Sequence, residues 1–419
     1  MEARLESSGY YALGIPAYVV VCAIELAWAR RRGMHVYRFG STVSNLSAGL
    51  GEVLLGLFLG PLLIGMYDFA YRLSPIRWPE GSWVPWVLAF GLGDLCYYLY
   101  HRAGHSVAAL WAIHGVHHQA EELNFTVAIR HPWFSDSYSA LFYAPIPLLG
   151  VPPTCFFVAI SVISFYAFTV HTHFFHRPGL GVLVTPRTHV VHHARNPRYL
   201  NKNFGAMFTV WDKLFGTHIE VSDDEPVIIG STVRYSTHDG AVAQWVFFSR
   251  LFEAAGQARG LRQKLAIFVK HPGYLPEGVR LSPLEPARAD EVIPLAVKVH
   301  VGTQLAALLS FAAPLLWYRE RFPLWVLALG TVVLVLGLSS LGGLLDERRG
   351  ARRHEQVRLL VALLATPLLV RALGPAAYVL GVSATLGLLT CASGVLGVSP
   401  LDRAPRGGNP PADEVEPSS

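Results

Sequence analysis

Residues 101–118 read HRAGHSVAALWAIHGVHH, five histidines in eighteen positions directly after an apolar run. The chain is 52% hydrophobic and only 15% charged, so a gathering of imidazoles at the edge of an apolar segment needs a physical reason. Spacing supplies one. Residues three and four apart share a helix face, with Cβ atoms about 5–6 Å apart. His101 and His105 form such a pair. His114 stands in that relation to His117 and His118, and His189 repeats it with His192 and His193. Each cluster can aim two or three rings at one point, and imidazole suits iron, zinc, copper and nickel. Of 18 histidines, 12 fall between 101 and 193.

Outward from this stretch the chain is apolar in long blocks. Residues 11–29, 44–66, 83–100, 300–317 and 323–344 approach or reach the roughly 20 residues that cross a hydrocarbon core. Shorter apolar pairs occur at 137–150 with 153–170 and at 359–373 with 375–397. The pattern predicts an all-α, polytopic integral membrane helical bundle of about nine crossings, with the histidine-rich site for a metal pair at its cytoplasmic side. Arg30–Arg32 follow the first run without a cleavage pattern, which reads as a retained anchor. Those arginines, the 176–294 stretch and Arg348, Arg349, Arg352, Arg353 and Arg358 mark the cytoplasmic face.

The expected organisation is N-terminal transmembrane helices over 1–100 and a histidine core with a membrane hairpin over 101–217. A cytoplasmic segment over 218–294, a second transmembrane bundle over 295–398 and a disordered tail over 399–419 complete it. Four dispersed cysteines, Cys22, Cys96, Cys155 and Cys391, argue against a disulfide framework or a thiolate metal site. A formal net charge of +5, with no basic-aromatic cassette, argues against nucleic acid as a partner.

Beyond the three clusters, His131 and the trio His171, His173 and His176 are further ligand candidates, because the hairpin returns the trio to the same surface. Asp94 lies seven residues before His101, about two turns up the same face. A carboxylate in an apolar helix needs a partner, and a ligand imidazole is the expected one. Asn124 and Arg130 follow the second cluster. His35, His218, His238, His271, His300 and His354 are read as structural.

These motifs carry a resemblance. HX3H at 101–105, HX2HH at 114–118 and HX2HH at 189–193 resemble the eight-histidine signature of the fatty acid hydroxylase/sterol desaturase superfamily of membrane di-iron enzymes. "GDLCYYLYHRAGH" (93–105) and "TPRTHVVHHARNPRYLNKNFGAMFTVWDKLFGT" (185–217) extend the likeness. "ELNFTVAIRH" (122–131), "VHT" (170–172) and the extra C-terminal helices resemble the alkylglycerol monooxygenase branch. The resemblance implies two iron ions held by His101, His105, His114, His117, His118, His189, His192 and His193. It implies His171 as the extra ligand from the hairpin, with His131 next, and Asp94, Asn124, Arg130, Asn203 and Asp212 as supporting residues. It further implies O2 as co-substrate, a membrane lipid as substrate, and hydroxylation or desaturation as the reaction. An external electron donor follows, since no GxGxxG or CxxCH motif is present.

The chain departs from the branch in a slightly shortened segment from His171 to Thr185, which carries His173 and His176 outside the pattern, and at two single positions. Ser106 stands where it typically has glutamate, which leaves tetrahydrobiopterin an open assignment, and Thr188 stands where it commonly has histidine. Two other readings compete. One is a lipid-binding or regulatory membrane protein that keeps the fold without turnover, against which the intact boxes argue. The other is a metal transporter or zinc hydrolase; a transporter should place polar residues deep in several spans.

Overall fold

The computed structural model describes residues 2–174, 181–233, 237–284 and 292–392, with side chains from residue 17 onward. It is helical throughout. Among the described residues there is no strand, only two isolated antiparallel bridges, Leu183 with Phe208 and Ala194 with Ile229. The N-terminal part holds α1 (Glu2–Arg31), α2 (Phe39–Leu73) and α3 (Val84–Ser106). Short helices follow: α4 (Ala108–His114), α5 (Phe125–Ala128), α6 (Ser135–Tyr143) and α7 (Pro145–Leu148). The longer α8 (Pro153–Thr169) precedes α9 (Pro186–His192) and α10 (Val210–Leu214). The polar segment forms α11 (Gly240–Ala243), α12 (Val246–Gln257) and α13 (Gly260–Val269). The C-terminal bundle is α14 (Leu295–Trp317), α15 (Leu324–Leu345), α16 (Ala351–Leu373) and α17 (Tyr378–Ala392).

Four stretches among the described residues are long and apolar enough to cross a membrane: α2, α14, α15, and the 42-residue run Ala351–Ala392 that contains α16 and α17. About nine crossings are expected, and length and apolarity alone single out these four stretches. α8 is apolar but has only 17 residues. The 137–150 run divides into α6 and α7, and Gly150 turns the chain at φ 75° before α8. α3 carries Asp94 and two histidines in its last turns. The tail from 399 and His176 lie outside the described residues.

The largest apolar core joins α2 to α14–α17, with Leu54, Leu308, Phe311, Leu315 and Leu334 fully buried. This bundle is not purely apolar. Glu355 accepts from Arg358 Nε (2.8 Å), Ser340 Oγ (2.8 Å) and His300 Nε2 (2.6 Å), and Arg358 also donates to Gln304 (3.0 Å). A second core packs α3 and α8 with Tyr67 of α2 through Ala89, Phe156 and Ala159. Between the two, α5 contacts α1, α2 and α8, and α11 lies against α2 and α15.

Candidate metal centre

The rings are delivered by helix ends. α3 stops at Val107, which is extended (φ −116°, ψ 122°), and α4 begins one residue later. Gly104 lets the two helices close up, since a Cβ there would sit 3.1 Å from the Tyr138 hydroxyl and 3.2 Å from His114 Cβ. α4 ends at His114, and a 3₁₀ turn over His117–Gln119 presents the next two rings. α9 starts at a reciprocal cap between Thr185 and Thr188, with Pro186 pre-set for the first turn. α8 supplies His171 just beyond its last turn.

The nine rings converge as two groups. His101, His105, His114, His118 and His192 form one; His117, His171, His189 and His193 form the other. Within each group one nitrogen per ring lies within 4.8 Å of all the others. The clusters interleave. Residues i and i+4 go together (101 with 105, 114 with 118, 189 with 193), while the middle residues, His117 and His192, cross to the opposite group. In each three-ring cluster the i and i+4 rings, one helical turn apart, share a group, and the i+3 ring belongs to the other.

Backbone carbonyls orient the rings. His101 Nδ1 donates to Phe204 O (2.8 Å), His192 Nδ1 to Lys202 O (3.0 Å), His117 Nδ1 to Arg130 O (3.2 Å) and His171 Nδ1 to Ala167 O (2.8 Å). A neutral imidazole that donates at Nδ1 keeps a bare lone pair at Nε2. Burial holds His117 well below the usual imidazole range, and burial takes His171 down to about 3, so both rings are neutral near pH 7. Yet His171 Nε2 lies 3.1 Å from His117 Nε2. Two lone pairs facing each other at that distance repel unless a cation lies between. His192 Nε2 and His105 Nε2 are buried with no hydrogen-bond partner. Two nitrogens each about 2.1 Å from one cation, at right angles, stand about 3.0 Å apart. The donor set therefore fits metal ions.

The other candidates support the rings from a distance. Asp94 does not reach an imidazole, which corrects the expectation. Its carboxylate accepts from Met207 N (3.0 Å), Phe208 N (3.3 Å) and Trp211 Nε1 (2.9 Å). Asp212 accepts from Phe204 N and Gly205 N, both at 2.8 Å. Asn203 donates to Thr188 O and Ile219 O and sits at φ 55°, a left-handed conformation that asparagine tolerates. Together these residues fix the 202–208 loop whose carbonyls hold His192 and His101. Arg130 donates to Val116 O, Ser44, Asn45 and Gln119, and only its carbonyl faces His117. Asn124 caps α5 through Thr126 N and Val127 N. None of Asp94, Asn124, Arg130 and Asn203 presents a side-chain polar atom to the rings.

His131 stands outside both groups. Its side chain is 48% exposed, with Nδ1 3.9 Å from Glu52, and its ring centroid is 6.2 Å from that of His117. The ring lies toward Glu52 of α2. His173 is in neither group. One residue escaped the sequence reading. Glu25, fully buried near the end of α1, accepts from Tyr37 Oη (2.5 Å), Phe125 N (2.9 Å) and the Thr172 hydroxyl, next to His171. A carboxylate inside the 11–29 apolar run was its signal.

A cavity of about 560 Å³ opens onto the five-ring group. His105, His118 and His192 form one wall, and Trp111, Phe204 and Phe247 are among its apolar lining. Ser106 lines it too and returns its hydroxyl to Arg102 O (2.8 Å).

An all-helical scaffold with membrane-length helices and two buried polyhistidine groups defines a membrane protein with a histidine-box metal centre. Residues 86–217 match the family model described as fatty acid hydroxylase. The chain is similar to an alkylglycerol monooxygenase of Xenopus tropicalis, 30% identical over 82% of this chain and 79% of the relative. It is also similar to one of Danio rerio, 29% identical over 83% and 79%. An ornithine lipid hydroxylase of Rhizobium tropici is 31% identical over 34% of this chain and 44% of its own. No solved structure matches the chain. The chain belongs to the fatty acid hydroxylase family, in its alkylglycerol monooxygenase branch.

Proposed function

We propose that this chain is an O2-dependent, non-haem di-iron monooxygenase of membrane lipids, with an alkylglycerol as the favoured substrate. The observation that carries the reading is the pair of imidazole groups whose Nε2 lone pairs converge in a buried space. Five nitrogens exceed the four that zinc takes in structural sites, which favours iron for the larger group. The alkylglycerol assignment rests on relatives whose length the chain covers by 79%.

In this reading His101, His105, His114, His118 and His192 hold one ion, and His117, His171, His189 and His193 hold the other. Bound iron supplies the power to activate O2 toward an unactivated C–H bond. The chain's residues do the rest. The 202–208 loop keeps two rings fixed, neutral imidazoles offer lone pairs rather than protons, and the apolar cavity excludes water while a lipid chain lies against His105, His118 and His192. The site faces the cytoplasm, on the side that Arg30–Arg32 and Arg348–Arg353 mark. Electrons arrive from a separate donor. Asp94, Asn124, Arg130 and Asn203 position the ligands instead of touching substrate.

Metal analysis of the chain purified anaerobically under reducing conditions tests the centre: about two irons per chain is expected, and an iron-free, fully folded chain overturns it. Comparison of lipids from cells with and without the chain tests the substrate. Loss of alkylglycerol with gain of its cleavage products is expected; a change confined to fatty acyl hydroxylation or sterol unsaturation reassigns the reaction. Adding and withholding tetrahydrobiopterin in the same assay decides the pterin requirement that Ser106 leaves open.

A further inference from the structure

α12 and α13 have two apolar sides where a surface helix pair needs one. The inner side is accounted for. Leu251 and Ala254 of α12 and Ile267 of α13 line the cavity that contains His105, His118 and His192. The outer side is not. Leu261, Leu265 and Val269 are 72%, 56% and 64% exposed. At about 100° per residue they fall within an arc of about 80° on α13, and Ile267 lies about 160° from its centre. Phe252 of α12, 62% exposed, extends the stripe through its ring contact with Phe268 (centroids 5.7 Å apart).

Charge borders this stripe in a particular way. Arg262 and Lys264 are both exposed and fall on opposite shoulders of the Leu261–Leu265–Val269 arc. Arg259 and Lys270 are exposed at the two ends of the helix. An apolar arc with cations on both shoulders suits a helix lying in the plane of a bilayer surface, its arc among acyl chains and its cations at anionic headgroups. Water alone would favour polar residues across the arc.

We infer that α12 and α13 form an interfacial clamp that docks on an anionic leaflet beside the membrane-length helices. The side of the cavity lined by Leu251, Ala254 and Ile267 then rests in the layer from which a lipid chain can enter sideways. The inference deepens the lipid-enzyme reading above by naming a membrane surface as the partner of this face, and its first test needs no turnover.

The full chain, carrying p-benzoylphenylalanine at Leu265 or at the exposed Glu277, is placed in nanodiscs of phosphatidylcholine with phosphatidylglycerol and irradiated. At least tenfold more lipid adduct at Leu265 is expected, falling several-fold when phosphatidylglycerol is omitted or when Arg262→Glu and Lys264→Glu are combined. Equal yields at the two positions overturn the inference, as do adducts to a second copy of the chain. In the second test, Leu261→Ser with Leu265→Ser should raise KM several-fold for bilayer-presented lipid at unchanged kcat, without affecting detergent-presented lipid. An unchanged KM in the bilayer removes the role in substrate entry. A chain that turns over nothing, yet still gives lipid adducts at Leu265, overturns the enzyme reading and leaves the docking intact.

Discussion

His117 and His118 are neighbours in the chain, with ring centroids 5.4 Å apart, yet they serve different groups. One 3₁₀ turn therefore straddles the two proposed ion positions. His118→Ala and His117→Ala should each lower bound iron from about two toward about one per chain and abolish hydroxylation, but with distinct residual Mössbauer signals. Identical residual signals would contradict the partition. His192→Ala should likewise abolish turnover while membrane insertion, followed by protease protection, stays intact.

Asp212 is a test of orientation through the main chain. Asp212→Ala strands the Phe204 and Gly205 amides, at a cost of roughly 1–3 kcal/mol for each buried donor. It also loosens the carbonyl that holds His101. A 10–100-fold weaker iron affinity is expected, the range typical of lost outer-sphere support. Chelator competition measures it; unchanged affinity with lowered stability would confine Asp212 to folding.

Glu25 makes a similar prediction from the far side. Glu25→Gln puts a donor amide where Phe125 N and two hydroxyls all need an acceptor. Thermal stability should drop, by roughly 1–3 kcal/mol. Iron loss should fall on the four-ring group that contains His171, which Mössbauer spectroscopy resolves.

The metal-free protein should be acid-sensitive. Burial, followed in all six by repulsion from neighbouring imidazoles, holds His114, His117, His118, His189, His192 and His193 well below the usual range. Below about pH 6.5 the unfolded chain binds protons that the folded chain refuses, so stability falls as pH drops. For His171 that loss runs from about 6.5 down to its folded value of about 3. Thermal melts of chelated protein at pH 7.5 and 5.5 check the sign: a lower midpoint at 5.5 is expected.

In the C-terminal bundle, Glu355→Gln should destabilise by about 3–5 kcal/mol by stranding Arg358. Glu355→Leu with Arg358→Met should recover much of that, and a double-mutant cycle in detergent measures the difference.

Much of the site was legible in the sequence because metal-binding geometry leaves a periodic mark. The i, i+3, i+4 spacing at 114–118 and 189–193 marks rings near one helix end, and VHT at 170–172 marked His171. The split between groups was not legible. It depends on where α4 ends and the 3₁₀ turn begins, which spacing alone does not encode. Asp94 was correctly read as a carboxylate needing a partner, but the partner is a loop more than 110 residues away in sequence. The 137–170 stretch reads as a hairpin with short halves, but hydrophobicity does not show that its first half divides at Pro145 into α6 and α7. Arg358 falls before the 359–373 run and so reads as a loop charge, whereas α16 begins at Ala351 and buries it beside Glu355.

Phe204 does two separate jobs: its carbonyl steadies His101 while its ring faces the cavity. Any amino acid except a backbone-disrupting one supplies the same carbonyl. Selection can therefore remodel the cavity wall at this position, trading one lipid preference for another, without retuning the ions beside it.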